Sequence, residues 1–272
     1  MAGLAALEGK FEFMSAPLIE LNRVTVMRGQ RAALENVSLR IKAGEHVCIL
    51  GPNGCGKSTL IKTITRECYP LAHEGSSMAI LGRERWDVSE LRNLLGIVSP
   101  DLLAACTTDA TGRDVVLSGF FSSTRIFPHH QPDPEHLRRS DEALARLGIS
   151  HLADRCVMHM SSGEAKRTLI ARALVHEPKT LLFDEPSNAL DIAAQFQLRD
   201  TMRELAQSGL AILLVTHHVN EIIPEIERVI MLRAGRVMAD GAKRDILTEK
   251  NLAELFGVKV KLENHQGYFH AV

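Results

Sequence analysis

Nine consecutive residues, Gly51-Pro52-Asn53-Gly54-Cys55-Gly56-Lys57-Ser58-Thr59, restrict what this chain can fold into more than any other stretch. The apolar run His46-Val47-Cys48-Ile49-Leu50 leads in, and Leu60-Ile61-Lys62-Thr63-Ile64 leads out as the first turns of a helix. Strand, glycine-rich loop and helix, in that order, is the setting in which G-x-x-x-x-G-K-[ST] marks a phosphate site. Glycines let the backbone wrap an anion closely and turn its N–H groups inward. The helix adds the positive end of its dipole. Lys57 supplies a mobile cation for the outer phosphates, and the Ser58 hydroxyl is placed to ligate Mg²⁺. The alternative is a glycine-rich turn with a chance lysine.

The flanking pattern predicts an α/β domain. Leu18 to Val26 and Ala33 to Ile41 read as strands of a small antiparallel layer, with Arg28-Gly29-Gln30 as the turn between them. Ser77 to Leu81, Gly96 to Val98, Thr180 to Asp184, Leu210 to Thr216 and Arg228 to Leu232 read as further strands. Helices are expected at Ser89 to Arg92, Ser162 to His176 and Ile192 to Gln207. Strands alternating with helices argue for a sheet with mostly parallel core strands. From Asp101 to Ser161 strands disappear, and Arg113 to Ser118 and Pro134 to Leu147 read as helices of an inserted subdomain. Leu137, Leu144 and Leu147 are expected on one face of the second. The stretch from Asn251 onward is expected to end in a helix and a short tail.

Composition narrows the partners. The 272 residues carry a formal net charge of −1, with 45% hydrophobic and 24% charged residues, as in ordinary soluble globular proteins. That balance gives no electrostatic case for nucleic acid or an anionic membrane surface. Leu210 to Thr216, among the longest apolar runs, is far too short to span a bilayer, so at a membrane another chain must do the spanning. Five cysteines without a C-x-x-C pair suit a reducing cytoplasm. Met1 to Pro17, with Glu8, Lys10 and Glu12, reads as a floppy leader rather than a signal peptide.

Three further stretches carry chemistry. Leu181-Leu182-Phe183-Asp184-Glu185-Pro186 delivers two adjacent carboxylates at the C-terminal end of an apolar strand, where ligands sit in open α/β sheets. Neighbours on a strand point opposite ways, so the acids should have different tasks. Asp184 is the natural Mg²⁺ partner and Glu185 the base or orienter of an attacking water. Met160-Ser161-Ser162-Gly163-Glu164 opens a helix; Ser161 and Glu164 have capping-box spacing, and the same helix N-terminus is suited to a γ-phosphate. Val215-Thr216-His217-His218 ends a strand in histidine, either a packing residue or a phosphate sensor.

Together these motifs resemble the ATP-binding cassette (ABC) ATPases from about Leu18 to Asp240. Gly51 to Thr59 is similar to the Walker A motif and Leu181 to Glu185 to Walker B with its catalytic glutamate. Met160 to Glu164 resembles the signature L-S-G-G-Q, Ser187-Asn188-Ala189-Leu190-Asp191 the D-loop, and His217 the switch histidine. The resemblance implies a RecA-like P-loop NTPase core with a small antiparallel β layer and an inserted helical subdomain at about 101–170. It implies ATP and Mg²⁺, held by Gly51, Pro52, Asn53, Gly54, Cys55, Gly56, Lys57, Ser58, Thr59 and Asp184. Glu185, His217 and Lys57 would be catalytic, with Ser161 and Gly163 meeting the γ-phosphate across a head-to-tail dimer and Asp191 also binding the nucleotide. A polytopic membrane permease is the expected partner, nucleic acid is not expected, and the chain would sit peripherally on the inner face of the cell membrane.

The chain departs from the pattern in places. Arg28 stands where the family often stacks an aromatic on adenine; a guanidinium can also stack on a purine. Pro100 aligns with the family glutamine, and Ser162 and Glu164 replace a glycine and the glutamine of the signature. His129, His130, His136, His151 and His159 lack metal-ligand spacing and read as surface residues. Phe120, Phe121, Ile126 and Phe127 suit a partner-docking groove and core packing equally. The leading expectation is the energy-coupling ATPase of a transporter, an importer rather than an exporter. The rivals are a soluble ABC protein of translation or DNA repair and a poorly hydrolysing nucleotide-sensing scaffold.

Overall fold

A computed structural model describes residues 16–271; the leader expected over 1–17 lies outside them save for its last two residues. In chain order come β1 (Pro17–Arg28), β2 (Arg31–Lys42), β3 (Val47–Leu50), α1 (Lys57–Ile64), β4 (Ser77–Ile80), α2 (Val88–Leu94), β5 (Leu95–Val98), α3 (Pro100–Cys106), α4 (Gly112–Ser118) and α5 (Pro134–Arg146). Then follow α6 (Ser162–Leu174), β6 (Thr180–Asp184), α7 (Ile192–Gln207), β7 (Ala211–Thr216), β8 (Arg228–Arg233), β9 (Arg236–Ala242), α8 (Lys243–Ile246), α9 (Glu249–Phe256), β10 (Leu262–His265) and β11 (Tyr268–Ala271). They group into two compact units. One is the chain up to Val88 together with the chain from Thr216 onward; the other is Ser89–Val215.

In the first unit β2, β1 and β4 form the small antiparallel layer. Along β1, Ile19 and Leu21, then Val24 and Val26, are buried, with Leu18 buried beside them. Strict alternation would turn Val24 outward. A register shift between Leu21 and Val24, with Arg23 at φ 46°, absorbs the extra residue and keeps all four on the core face. β3 pairs parallel with β8, and β8 antiparallel with β9. All four residues of β3 are buried, as expected of a strand covered on both faces.

Two hairpins depart from expectation. β9 folds back on β8 through Ala234 and Gly235, both at positive φ, and β10 and β11 pair through Gln266 and Gly267, again both positive. Two consecutive left-handed residues make the turn that matches strand twist. Residues 262–271, expected as a tail after a helix, are therefore a β-hairpin.

In the second unit β5, β6 and β7 form a parallel sheet, with β6 central. The unit holds these strands together with α3 to α7, so the helices expected as a subdomain over 101–170 share one compact body with part of the sheet. Leu137 differs from expectation: it is 41% exposed, while Ser140, Ala143 and Leu144 form the buried stripe of α5. Pro100 occupies the first turn of α3, where a missing N–H costs nothing, and the Ser99 hydroxyl caps that helix by accepting from the Leu102 N–H at 3.2 Å.

Candidate functional site

The phosphate loop lies wholly in the first unit. Two of its glycines are sterically required. A Cβ on Gly51 would stand 2.3 Å from the Leu232 carbonyl oxygen, and one on Gly56 2.5 Å from that of Ala33. Gly56 is left-handed at φ 111°, and no side chain caps α1 there, as suits a helix N-terminus that meets an anion. Asn53, Gly54 and Ser58 are exposed, with Pro52 and Thr59 half-buried, while Cys55 is buried beneath them. Lys57 is 4% exposed, and its Nζ donates to the carbonyls of Gly51 at 2.8 Å and Pro52 at 3.1 Å. A buried ammonium thus lies along the loop it serves.

His217, expected as the switch histidine, follows a residue tied to this loop through the backbone. The Gly51 N–H donates to the Thr216 carbonyl at 3.2 Å, one residue before His217. Thr216 Oγ1 donates to Glu221 Oε2 at 2.6 Å and accepts from the His218 N–H at 3.0 Å. Glu221 is only 5% exposed, so this acid closes the turn carrying His217 and His218, whose rings lie 3.8 Å apart. Sequence reasoning missed Glu221, because an acid in a polar turn reads as solvated surface. Arg28 ends β1 opposite Arg31 and donates to Cys68 Sγ at 3.5 Å.

The acid pair lies in the second unit. Asp184 closes β6 and is half-buried. Glu185 follows at φ 43°, its N–H donating to the Val215 carbonyl at 2.8 Å. The two acids are separated by this backbone reversal rather than by the pleat of one strand, because β6 has already ended. Asn188 Nδ2 donates to Glu185 Oε2 at 2.7 Å.

At the head of α6, Ser161 is the N-cap of a complete capping box: its Oγ accepts from the Glu164 N–H at 3.3 Å, and Glu164 Oε2 accepts from the Ser161 N–H at 2.7 Å. The Ser161 N–H bond, helped by the Arg155 charge, holds the Glu164 carboxyl below the usual range. Gly163 lets α6 approach α7 closely, a Cβ there standing 3.2 Å from Ala194 Cβ. Asp191 caps α7, its Oδ1 accepting from the Ala194 N–H at 2.8 Å. Lys166, 6% exposed, donates to the carbonyls of Pro186 and, at 2.5 Å, Asn188.

The loop aromatics pack on histidines: Phe121 stacks on His130, and Phe120 meets His136 and His176, with centroids 4.4, 4.4 and 5.3 Å apart. His130 and His136 thus belong to an aromatic cluster rather than standing in open solvent.

Comparison with known proteins agrees with these motifs. The ABC transporter family model matches residues 34–188. The ferric enterobactin transport ATP-binding protein of Escherichia coli is 31% identical over 243 residues, covering 87% of this chain and 86% of that one. The hemin import ATP-binding protein of Aliivibrio fischeri is 30% identical over 259 residues, covering 93% and 95%. Among solved structures, an inward-facing putative metal-chelate type ABC transporter superposes with a TM-score of 0.74 at 25% identity, covering 95% of this chain and 96% of that one. A dimeric cassette bound to ADP and Pi superposes with a TM-score of 0.67 at 28% identity, covering 82% and 98%. The phosphate loop and strand-end acids define a P-loop nucleotide-binding protein. The chain belongs to the ABC transporter family, as an ATP-binding subunit with ATPase activity. Among the described residues no helix is long and apolar enough to cross a membrane.

Proposed function

We propose that this chain powers an ABC importer, working in the cytoplasm against the inner face of the membrane as a pair of identical cassettes bound to a polytopic permease. The relative named for hemin import supports the direction, and with the one named for ferric enterobactin transport it suggests a metal-chelate cargo. The observation that carries the reading is the phosphate loop, with Gly56 left-handed at the uncapped head of α1 and Lys57 buried along it.

Lys57 exchanges the carbonyls of Gly51 and Pro52 for nucleotide phosphates, while N–H groups of the loop hold their oxygens. Arg28 stacks its guanidinium on the base. The Ser58 hydroxyl and Asp184 carboxylate are the hard oxygen donors that Mg²⁺ takes, and Mg²⁺ when bound neutralises phosphate charge. Glu185 orients and deprotonates the attacking water; His217 contacts the γ-phosphate. Ser161, Gly163 and Asp191 complete the nucleotide's surroundings from the second cassette.

The test is co-purification of tagged Glu185→Gln protein with ATP from its own host in detergent. This variant keeps binding and stalls hydrolysis, trapping the closed pair. A polytopic membrane protein in comparable amount is expected. Ribosomal or purely soluble companions, or turnover at the wild-type rate, refute the reading.

A further inference from the structure

We infer that Lys166 and Asn188 are positioning residues for Glu185, linking the helix that carries Ser161 to the acid that orients water. Lysine is seldom buried without partners. Lys166 is 6% exposed, and its ammonium is held by two backbone carbonyls, those of Pro186 and Asn188. Both belong to the turn that starts at Glu185. That choice of acceptors is informative: a lysine serving only to fill space would point its head to water along an apolar stem.

Asn188 completes the link in two places. Its amide donates to Glu185 Oε2 at 2.7 Å, and its backbone N–H to the Glu185 carbonyl at 3.3 Å. Glu185 needs such restraint, since a non-glycine residue at φ 43° persists only where its surroundings over-determine it. The Val215 carbonyl fixes the Glu185 N–H from the sheet side, and Asp191 caps α7 at the far end of the turn. The carboxylate is thereby aimed by a short chain of bonds: α6 to the Asn188 backbone through Lys166, then to Oε2 through the Asn188 side chain. A shift of α6 reaches Glu185 through this chain.

The inference rests on the role of Glu185 given above, and the test separates the two. The variants are Asn188→Ala, Lys166→Met, Lys166→Arg and Glu185→Gln in the full chain. The readouts are kcat and KM for ATP in each variant. Losing a hydrogen bond to a charged group predicts a fall in kcat of about tenfold for Asn188→Ala. KM should stay within about twofold, because the interaction serves the chemical step rather than ground-state binding. Lys166→Met should lower kcat in the same way, and Lys166→Arg should recover most of the loss. Asn188 is a half-buried turn residue, so if Lys166→Met fails to fold, Asn188→Ala decides alone. An Asn188→Ala protein with unchanged kcat overturns the inference. If Glu185→Gln stalls turnover while Asn188→Ala does not, the role of Glu185 stands and the positioning link falls. If Glu185→Gln turns over like wild type, it is the role of Glu185 that fails.

Discussion

Replacing Gly56 with alanine separates two costs that the phosphate loop keeps hidden. The residue sits at φ 111°, and a left-handed conformation costs an L-residue about 1–2 kcal/mol. Steric conflict adds to this. The new Cβ would stand 2.5 Å from the Ala33 carbonyl oxygen and 3.0 Å from Leu34 Cδ2. Neither neighbour can give way easily. Leu34 pairs with Val26 in β1, and the Glu35 N–H is fixed on the Gly235 carbonyl at 2.9 Å. Overpacking of this kind costs about 1–3 kcal/mol. Gly54 provides the internal control, since it is also left-handed, at φ 75°, yet a Cβ there meets nothing within 4 Å. Gly54→Ala should carry the backbone cost alone and Gly56→Ala both. For a chain of this length the difference is a fall in Tm on the order of 2–12 °C in Gly56→Ala relative to Gly54→Ala. Thermal melts without nucleotide measure it, and binding of a fluorescent ATP analogue should weaken most in Gly56→Ala. Equal melting temperatures and equal affinities for the two variants would show that β2 yields freely, and the steric argument would be wrong.

Two further outcomes follow from the second unit. Ser161→Ala removes the hydroxyl that accepts from the Glu164 N–H, at a cost of about 1 kcal/mol measured by denaturant unfolding; a neutral result would mean that Glu164 holds the end of α6 without it. Burial is the main cause that lowers the His176 pKa from its ordinary value of 6.5, joined by the charges of Arg139, Arg172 and His136, while its bond to the Gly119 carbonyl opposes the shift. The unfolded chain therefore takes up this proton first, so the contribution of His176 is complete above pH 6.5 and is lost as pH falls through the lower folded value. Melting temperatures from pH 7.5 down to 5.5 should decline less steeply in His176→Asn than in wild type, and identical slopes would exclude His176 as a source of acid sensitivity.

The parts of this molecule legible in the sequence are those whose chemistry is local. Glycine spacing from Gly51 to Gly56 already demands a backbone that approaches an anion, and Ser161 with Glu164 is a cap whose partners lie three residues apart. What stayed hidden depends on partners distant in sequence or on dihedral angles. Lys166 looks like any helical lysine until the turn at 186–188 is folded against it, and Glu221 looks solvated until Thr216 donates to it. Glu185 reads as the next residue of a strand, and nothing in Phe183-Asp184-Glu185-Pro186 announces a reversal at φ 43°. The hairpins at 234–235 and 266–267 were missed because Ala-Gly and Gln-Gly are weak versions of the turn that Asn-Gly signals strongly. Lys166 and Glu221 share a cause: a buried charge is tolerated only where the fold supplies its hydrogen-bond partners. For Lys166 these are backbone carbonyls, which every sequence possesses and none advertises; for Glu221 it is the Thr216 hydroxyl, which only the folded turn brings within reach.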